Sequence, residues 1–267
     1  MIFSMETFWI MIAISIVCLI GFKRYIWFIS IGYGLSIAMV GIILLILFHD
    51  ILNLGYTMAC IILIFYGVRL SGFLAFRELK NKTYIKKMKS EIKDGKNMNF
   101  GVNSIIWISC VLLYFMMCSP IIYRFVNNSG IDICFIIGII VAAIGAMIEM
   151  IADAQKNNQK KINPNRFCDK GLYKMVRCPN YFGELMFWTG VFISGVTTLN
   201  GIGQWSIAIL GFMGIVYVMF SGARRLELRQ DKCYGENEEY QKYIKETPIM
   251  LPLLPLYSVK KYKWLVA

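Results

Sequence analysis

The sequence predicts an all-α integral membrane protein, a bundle of about seven transmembrane helices, on three observations. Hydrophobic residues make up 58% of the chain and charged residues 16%, with a mean hydropathy of +0.59, well outside the usual range of soluble domains. The apolar residues gather in segments long enough to cross a hydrocarbon core of roughly 30 Å as helices. The cations gather in alternate connections between these segments.

Seven apolar segments predict the helices, near residues 5–22, 25–48, 51–75, 101–122, 131–152, 180–198 and 203–222. Helices are expected because, apart from closed barrels, only they satisfy the backbone polar groups within lipid. The first segment has no basic stretch before it and no small-residue cleavage site after it, so it is expected to remain as a helix and not to be a cleaved signal. We expect a single membrane domain over residues 1–267.

The distribution of cations predicts the orientation. Cations follow the first, third, fifth and seventh segments, at Lys23 and Arg24, at eight Lys or Arg positions from Arg77 to Lys96, from Lys156 to Arg177, and at Arg224, Arg225 and Arg229. The intervening connections hold only Arg124 as a cation. Because cytoplasmic loops carry the excess of Lys and Arg, the N-terminus is expected outside and the C-terminus in the cytosol.

Topology also accounts for the net charge of +12, with attraction to anionic lipid headgroups as a secondary effect. No nucleic-acid partner is expected, because the sequence has no soluble basic domain. The richness in Ile, Lys and Asn indicates a base-composition bias, and we expect a bacterial plasma membrane.

The eight cysteines predict neither a metal site nor a disulfide framework. His49 is the only histidine, and the chain has no pair of cysteines separated by two residues. Five of the cysteines lie inside apolar segments. They are interpreted as apolar structural residues, and no metal is expected.

The end of the fifth segment, "IEMIADAQKNNQKK", places ionisable residues on one helix face. Glu149 and Asp153 are four residues apart, and Lys156 and Lys160 continue approximately the same stripe. One interpretation is a charged, solvated helix end. The other is that the acids bind hydroxyl groups, such as those of a ribose, while the lysines bind phosphate.

The stretch "KGLYKMVRCPNYFGELMFW", residues 170–188, adds polar residues directly before the next apolar segment. Pro179 is expected to start a helix, and a carboxylate at Glu184 suits its first turns. Such a helix start is an anion site with Arg177 beside it. Helix capping explains these three residues without a function, but it does not explain the neighbouring Asn180, Tyr181 and Gly183.

These residues resemble the C-terminal domain of the steroid 5α-reductase family. The resemblance is strong over residues 100–255 and includes "PNYFGE", "SGARRLE", Asp153, Gln155, Lys156, Gly171, Leu172, Tyr173, Arg177, Trp188, Tyr240, Tyr243, Thr247 and Pro248. A weaker likeness covers "YGVRLSGFLAFR" at residues 66–77. The sequence departs from many bacterial members at Cys178, where they have a histidine.

The resemblance implies an NADPH-dependent reductase that saturates a carbon–carbon double bond conjugated to a ketone, with residues 100–255 as the cofactor-binding half. The implied cofactor contacts are Glu149, Asp153, Lys160, Asn180 and Glu184. Arg177 and Tyr181 are implied as neighbours of that site. The substrate would be lipophilic, either steroid-like or another apolar enone or enoyl lipid.

The resemblance also implies a catalytic tyrosine, Tyr66, whose hydroxyl would hydrogen-bond the substrate carbonyl. The alternative is that Tyr66 is an aromatic anchor at the membrane interface. The family pairs this tyrosine with a carboxylate, but Glu6 and Asp50 both lie at segment ends on the opposite side.

Two other functions are compatible with the same architecture. Isoprenylcysteine carboxyl methyltransferases carry a similar turn and bind S-adenosylmethionine, which has no phosphates and needs no cluster of cations. A membrane protein or transporter without catalytic activity is the other alternative.

Overall fold

The computed structural model describes residues 4–80 and 99–266, and these residues form helices without a β-strand. This confirms the all-α class. The helices are α1 (Met5–Cys18), α2 (Ile26–Ile29), α3 (Ile31–Leu47), α4 (Leu54–Lys80), α5 (Phe100–Val126), α6 (Ile133–Ile162), α7 (Pro179–Gly195), α8 (Gly201–Tyr234) and α9 (Glu238–Glu246). Most of the predicted cation-rich connection from Arg77 to Lys96 lies outside the described residues.

Five of the described helical stretches are long and apolar enough to cross a membrane, namely Met5–Phe22, Leu54–Lys80, Phe100–Val126, Ile133–Ile162 and Gly201–Tyr234. Ile31–Leu47 is a shorter apolar helix. All seven predicted segments coincide with helices, which agrees with a multi-pass membrane protein. The number of crossings and the orientation stay predictions.

The chain divides into two compact units. Unit 1 comprises Met1–Ile139 and Val191–Gly211, and unit 2 comprises Ile140–Gly190 and Phe212–Ala267. The single membrane domain expected from the sequence stays a prediction.

Small residues bring α3 and α4 of unit 1 into backbone contact. A Cβ atom on Gly67 would lie 2.2 Å from the carbonyl oxygen of Gly34 and 2.6 Å from the backbone nitrogen of Ala38. The hydroxyl of Ser71 donates a hydrogen bond to the carbonyl of Ile31 at 3.0 Å. Glycine, alanine and serine therefore permit the close approach that is common between membrane helices.

A buried arginine joins three segments of unit 1. Arg124, near the end of α5, is 0% exposed. Its guanidinium donates hydrogen bonds to the carbonyls of Ser194 and Gly130, each at 2.6 Å, and to Asp132 and Thr197, each at 2.8 Å. Arg124 is the one cation that the sequence analysis found in the intervening connections. It is therefore a structural residue, and the carboxylate of Asp132 compensates its charge.

The segment that follows α9 packs against the residues that precede α7 within unit 2. The backbone N–H groups of Arg177 and Cys178 donate hydrogen bonds to the carbonyls of Pro248 and Ile249, both at 2.9 Å. Ile249 and Met250 are fully buried. These contacts fix the backbone that leads into Pro179.

Candidate functional site

The candidate site lies in unit 2, where α6 and α7 cross at two glycines. A Cβ atom on Gly183 would lie 2.6 Å from the backbone nitrogen of Glu149 and 2.7 Å from the carbonyl oxygen of Gly145. Because no side chain fits between them, the two backbones touch. The crossing sets Glu149 of α6 directly beside the "PNYFGE" turn of α7.

Two carboxyl groups are buried at this crossing. Glu149 is 3% exposed and Glu184 is 7% exposed. Asn180, which is half-buried, lies one turn before Glu184, so these two side chains share a face of α7. An amide and two carboxyl groups shielded from water can bind hydroxyl or carboxamide groups, provided that each polar atom is paired.

Tyr181 connects this turn to α8. A Cβ atom on Gly222 would lie 3.3 to 3.4 Å from atoms of the Tyr181 ring, so the ring packs over that glycine. The charges of Arg225 and Arg229 both act on Tyr181. The "PNYFGE" turn therefore has two α8 cations next to it.

Lys156 extends this positive region onto α6. The charges of Asp153 and Arg229 both act on its ammonium group. In the described part of the chain, Arg225 and Arg229 make no ion pair or hydrogen bond through their side chains. We refer to Lys156, Arg225 and Arg229 as the cationic cluster.

Lys160, which the resemblance implies as a cofactor residue, is engaged by the chain itself. Its ammonium group donates hydrogen bonds to the carbonyls of Pro164 and Arg166, at 3.1 and 2.5 Å, and to the hydroxyl of Tyr234 at 2.9 Å. All three of its N–H groups are thus used. A phosphate at Lys160 would have to replace one of these contacts.

Arg177 is held by a buried ion pair. Its Nη2 atom donates hydrogen bonds to Glu227 of α8 at 2.9 Å and to the carbonyl of Tyr257, and both charged side chains are 1% exposed. The Nε and Nη1 atoms are buried without a hydrogen-bond partner in the described residues. Arg177 therefore links three segments of unit 2 and keeps two donors for a further partner.

Cys178 is a buried, uncharged residue. It is 1% exposed, and burial raises the pKa of its thiol to about 12, although the charges of Arg177 and Lys156 act in the opposite direction. The thiol is therefore protonated at neutral pH. A histidine at this position would titrate near neutral pH, whereas the thiol stays neutral.

Tyr66, the predicted catalytic residue, lies in α4 of unit 1 and is fully buried. Its hydroxyl lies 3.5 Å from the hydroxyl of Tyr33 in α3. The Arg69 guanidinium lies 5.8 Å from the centre of the Tyr66 ring. Each tyrosine directly precedes one of the two glycines, Gly34 and Gly67, at which α3 and α4 touch, so the helix contact brings the two phenols together.

Tyr33 is in turn supported by a third tyrosine. The rings of Tyr33 and Tyr114 lie 5.1 Å apart, and the Tyr114 hydroxyl donates a hydrogen bond to the carbonyl of Phe28 at 2.7 Å. This contact fixes the Tyr33 ring against α5. Tyr66 is completely buried. This does not fit the alternative of an aromatic anchor, whose ring would be exposed to the headgroups.

Arg225, Arg229 and Tyr33 are absent from the candidate residues of the sequence analysis, whereas Lys156 is present there only as one of the two lysines of the stripe. Signals for them exist in the sequence. Lys156 belongs to the stripe of Glu149 and Asp153, and the two arginines are four residues apart within "RRLELR". Tyr33 repeats the Tyr-Gly pair of Tyr66. None of these signals by itself indicates which side chains meet.

Comparison with known proteins extends the likeness beyond the site. A family model described as "Protein of unknown function (DUF1295)" matches residues 18–247. The chain is also 24% identical over 123 residues to the 3-oxo-5-alpha-steroid 4-dehydrogenase 1 of Rattus norvegicus, which covers 45% of the chain and 42% of that relative. No solved structure matches.

The family match includes the α6–α7 crossing, the "PNYFGE" turn and the cationic cluster, as well as Tyr33 and Tyr66. Except for Pro248, the residues that carried the resemblance in the sequence are thus within the matched region. The chain belongs to the DUF1295 family, which is related to the steroid 5α-reductases.

Proposed function

We propose that the protein is a membrane-embedded, NADPH-dependent reductase of a carbon–carbon double bond conjugated to a ketone in a lipophilic substrate. The observation that carries the proposal is the pair of buried carboxyl groups, Glu149 and Glu184, set beside the cationic cluster within one unit. A dinucleotide needs both kinds of group, because its ribose and carboxamide require polar partners and its phosphates require cations. The distant likeness to a steroid oxidoreductase supports the same reaction class.

The donor set fits this cofactor. Glu149, Asp153, Asn180 and Glu184 would hold the ribose hydroxyls and the carboxamide, and Tyr181 would border them. Among the cations, the cluster of Lys156, Arg225 and Arg229 is the better supported phosphate site, because Lys160 donates to protein atoms with all three N–H groups. Arg177 keeps two buried donors for a phosphate.

When bound, NADPH supplies the hydride. The chain must supply the group that stabilises the oxygen of the developing enolate, since charge develops on that atom during reduction. We assign this role to the hydroxyl of Tyr66, which donates a hydrogen bond to the ketone. The hydroxyl of Tyr33 takes the place of the carboxylate partner and orients the Tyr66 hydroxyl.

Cofactor binding by the full-length protein in lipid nanodiscs tests the proposal first. Glu149→Gln and Glu184→Gln should each weaken NADPH binding roughly tenfold to a hundredfold, because a buried polar group that loses its partner costs about 1–3 kcal/mol. Asn180→Ala should act in the same direction. Glu236→Gln changes an exposed acid and should leave the affinity unchanged.

The alternatives give different results in the same assay. Binding of S-adenosylmethionine without binding of NADPH would identify a methyltransferase. Binding of neither would leave a membrane protein without this chemistry and would overturn the proposal.

Catalysis is tested by NADPH oxidation against a panel of apolar enones that includes a 3-oxo-Δ4 steroid. Tyr66→Phe and Tyr33→Phe keep the packing of the rings and should reduce the rate without changing NADPH affinity. Tyr114→Phe keeps the ring that packs on Tyr33, removes the hydroxyl that donates to Phe28, and serves as the matched control. Equal rates for all three variants would exclude the tyrosine pair from the reaction.

A further inference from the structure

The last segment of the chain exposes apolar side chains although it has no helix of its own. Leu253 is 94% exposed, Trp264 is 66% exposed and Val266 is 73% exposed. Three lysines, Lys260, Lys261 and Lys263, are interspersed with these residues. Exposed apolar residues combined with lysine and tryptophan are typical of segments that lie in the membrane interface.

Three charged residues on one side of α8 hold this segment in place. Arg224 donates hydrogen bonds to the carbonyls of Lys260 and Leu265, at 3.2 and 3.0 Å. Glu227 accepts a hydrogen bond from the backbone N–H of Val259 at 2.9 Å, and Asp231 pairs with Lys260. The segment is therefore part of the folded structure, and its position along α8 is fixed.

That position coincides with the end of the apolar part of α8. Arg224 is the first charged residue after the apolar run that starts at Gly201. Tyr217 lies two turns earlier, about 10 Å deeper along the helix axis, and its hydroxyl donates a hydrogen bond to the Trp264 carbonyl at 3.1 Å. The two rings stack with their centres 6.1 Å apart. Trp264 thus lies level with apolar residues of a membrane helix.

The lysines supply the positive charge of this segment. Lys261 and Lys263 are exposed, and in the described part of the chain their ammonium groups make no ion pair or hydrogen bond. Lysine side chains that start at the interface extend their ammonium groups to the headgroup region. They carry the charge that is complementary to anionic phosphates.

We propose that residues 253–266 form an interfacial segment that binds the surface of a membrane containing anionic lipid. The Trp264 ring and the neighbouring aliphatic side chains enter the boundary of the acyl chains. Lys261 and Lys263 contact the phosphates of anionic headgroups. This membrane contact is additional to that of the spanning helices and does not depend on the proposed reaction.

Fluorescence quenching on the full-length protein in nanodiscs tests this directly. The signal of Trp264 is obtained as the difference between the unmodified protein and Trp264→Phe. In discs of phosphatidylcholine mixed with phosphatidylglycerol, lipids brominated near the headgroup end of the acyl chain should quench it, and iodide in the water should not. Quenching by iodide with none by the brominated lipids would place Trp264 in water and overturn the proposal.

Charge reversal tests the role of the headgroups. The double variant Lys261→Glu/Lys263→Glu should shift Trp264 toward iodide quenching in discs with phosphatidylglycerol, and much less in discs of phosphatidylcholine alone. Lys242→Glu/Lys245→Glu, two exposed lysines of α9, is the matched control and should show no shift. If both double variants show the same quenching, binding of anionic lipid by this segment is excluded. The melting temperature of each variant is measured as well, so that the comparison is made on folded protein.

Discussion

Gly145 and Gly183 hold α6 and α7 in direct backbone contact. A Cβ atom on Gly145 would lie 2.4 Å from the backbone nitrogen of Phe187 and 2.6 Å from the carbonyl oxygen of Gly183. Contacts of that length exclude any side chain at either position. The distance between the buried carboxyl groups of α6 and α7 therefore depends on two residues that have no functional group.

The first prediction is that Gly183→Ala separates the two helices. The added methyl group must displace backbone atoms, so we expect a loss of about 1–3 kcal/mol in stability and a loss of NADPH binding. Melting temperature and NADPH affinity measure the two effects. Gly72→Ala is the control, because a Cβ there meets nothing within 4 Å and removing a helical glycine should stabilise α4 slightly. Equal melting temperatures for the two variants would contradict the close backbone contact of α6 and α7 at Gly183.

The second prediction separates the structural role of Arg177 from its role in binding. Arg177→Met should destabilise the protein by about 3–5 kcal/mol, because it leaves Glu227 buried without its counter-charge. Arg177→Met/Glu227→Gln removes both charges, keeps an acceptor for the backbone N–H of Val259 and should recover much of this loss. If NADPH affinity recovers in the double variant as well, Arg177 acts only through the fold. If affinity stays low in a stable double variant, Arg177 binds the cofactor.

The third prediction concerns the cations that hold the 2′-phosphate of NADPH. Lys156→Ala and Arg229→Ala should weaken NADPH more than NADH, which lacks this phosphate. Lys160→Met should instead lower the melting temperature, since it removes the contacts to Pro164, Arg166 and Tyr234. A selective loss of NADPH binding in Lys160→Met alone would favour the original sequence-based prediction.

The fourth prediction is topological and uses a native thiol. Cys233 is exposed near the end of α8, beyond its apolar run, and the positive-inside rule puts it in the cytosol. A maleimide that cannot cross membranes should label it in inside-out vesicles and not in right-side-out vesicles. Cys233→Ser should abolish the labelling. Labelling from the outside would reverse the predicted orientation.

The fifth prediction concerns acid stability through Asp132, which lies just before α6. Burial raises the pKa of this carboxyl group, but hydrogen bonds from Thr197, Arg124 and the Phe135 backbone outweigh this effect and lower the pKa to about 2. Because the folded pKa is below the unfolded value of about 3.9, Asp132 stabilises the fold above pH 4. This contribution is lost as the pH falls through 2.

Melting temperatures measured from pH 5 down to pH 2 test this effect. The drop should be smaller in Asp132→Asn, which cannot titrate. The difference is expected to be modest, since a third of the Asp132 side chain is exposed and solvent screens its interactions. Parallel curves for the two proteins would contradict the pKa of Asp132.

The sequence predicts the helices well because each needs only a local run of apolar residues, and all seven runs are helical. It also predicts that Asn180 and Glu184 share a face, since this follows from helix geometry. It does not predict that Arg177 meets Glu227, which is 50 residues away, or that Lys160 meets Tyr234, which is 74 residues away. Such pairings depend on how helices cross, and no local pattern encodes them.

The α7 segment shows the other limit of local patterns. Its apolar run suggests a helix that crosses the membrane. However, the helix has only 17 residues, and polar residues occupy its first turns. The same polar residues that reduce its apolar length form the candidate site. A hydropathy pattern cannot separate these two roles, because both place polar side chains at a helix end.

The loop between α6 and α7 is shaped by contacts from the chain's own side chains. Lys160 binds two of its carbonyls, Gln155 accepts a hydrogen bond from the backbone N–H of Leu172, and Tyr243 donates one to the carbonyl of Tyr173. Gly171 supplies the positive φ of 65° that the turn requires. A ligand that binds beside this loop therefore meets a preorganised wall, and little of its binding free energy is spent on ordering backbone. Amide protons of the loop should accordingly exchange slowly with solvent whether or not the protein is engaged with its cofactor.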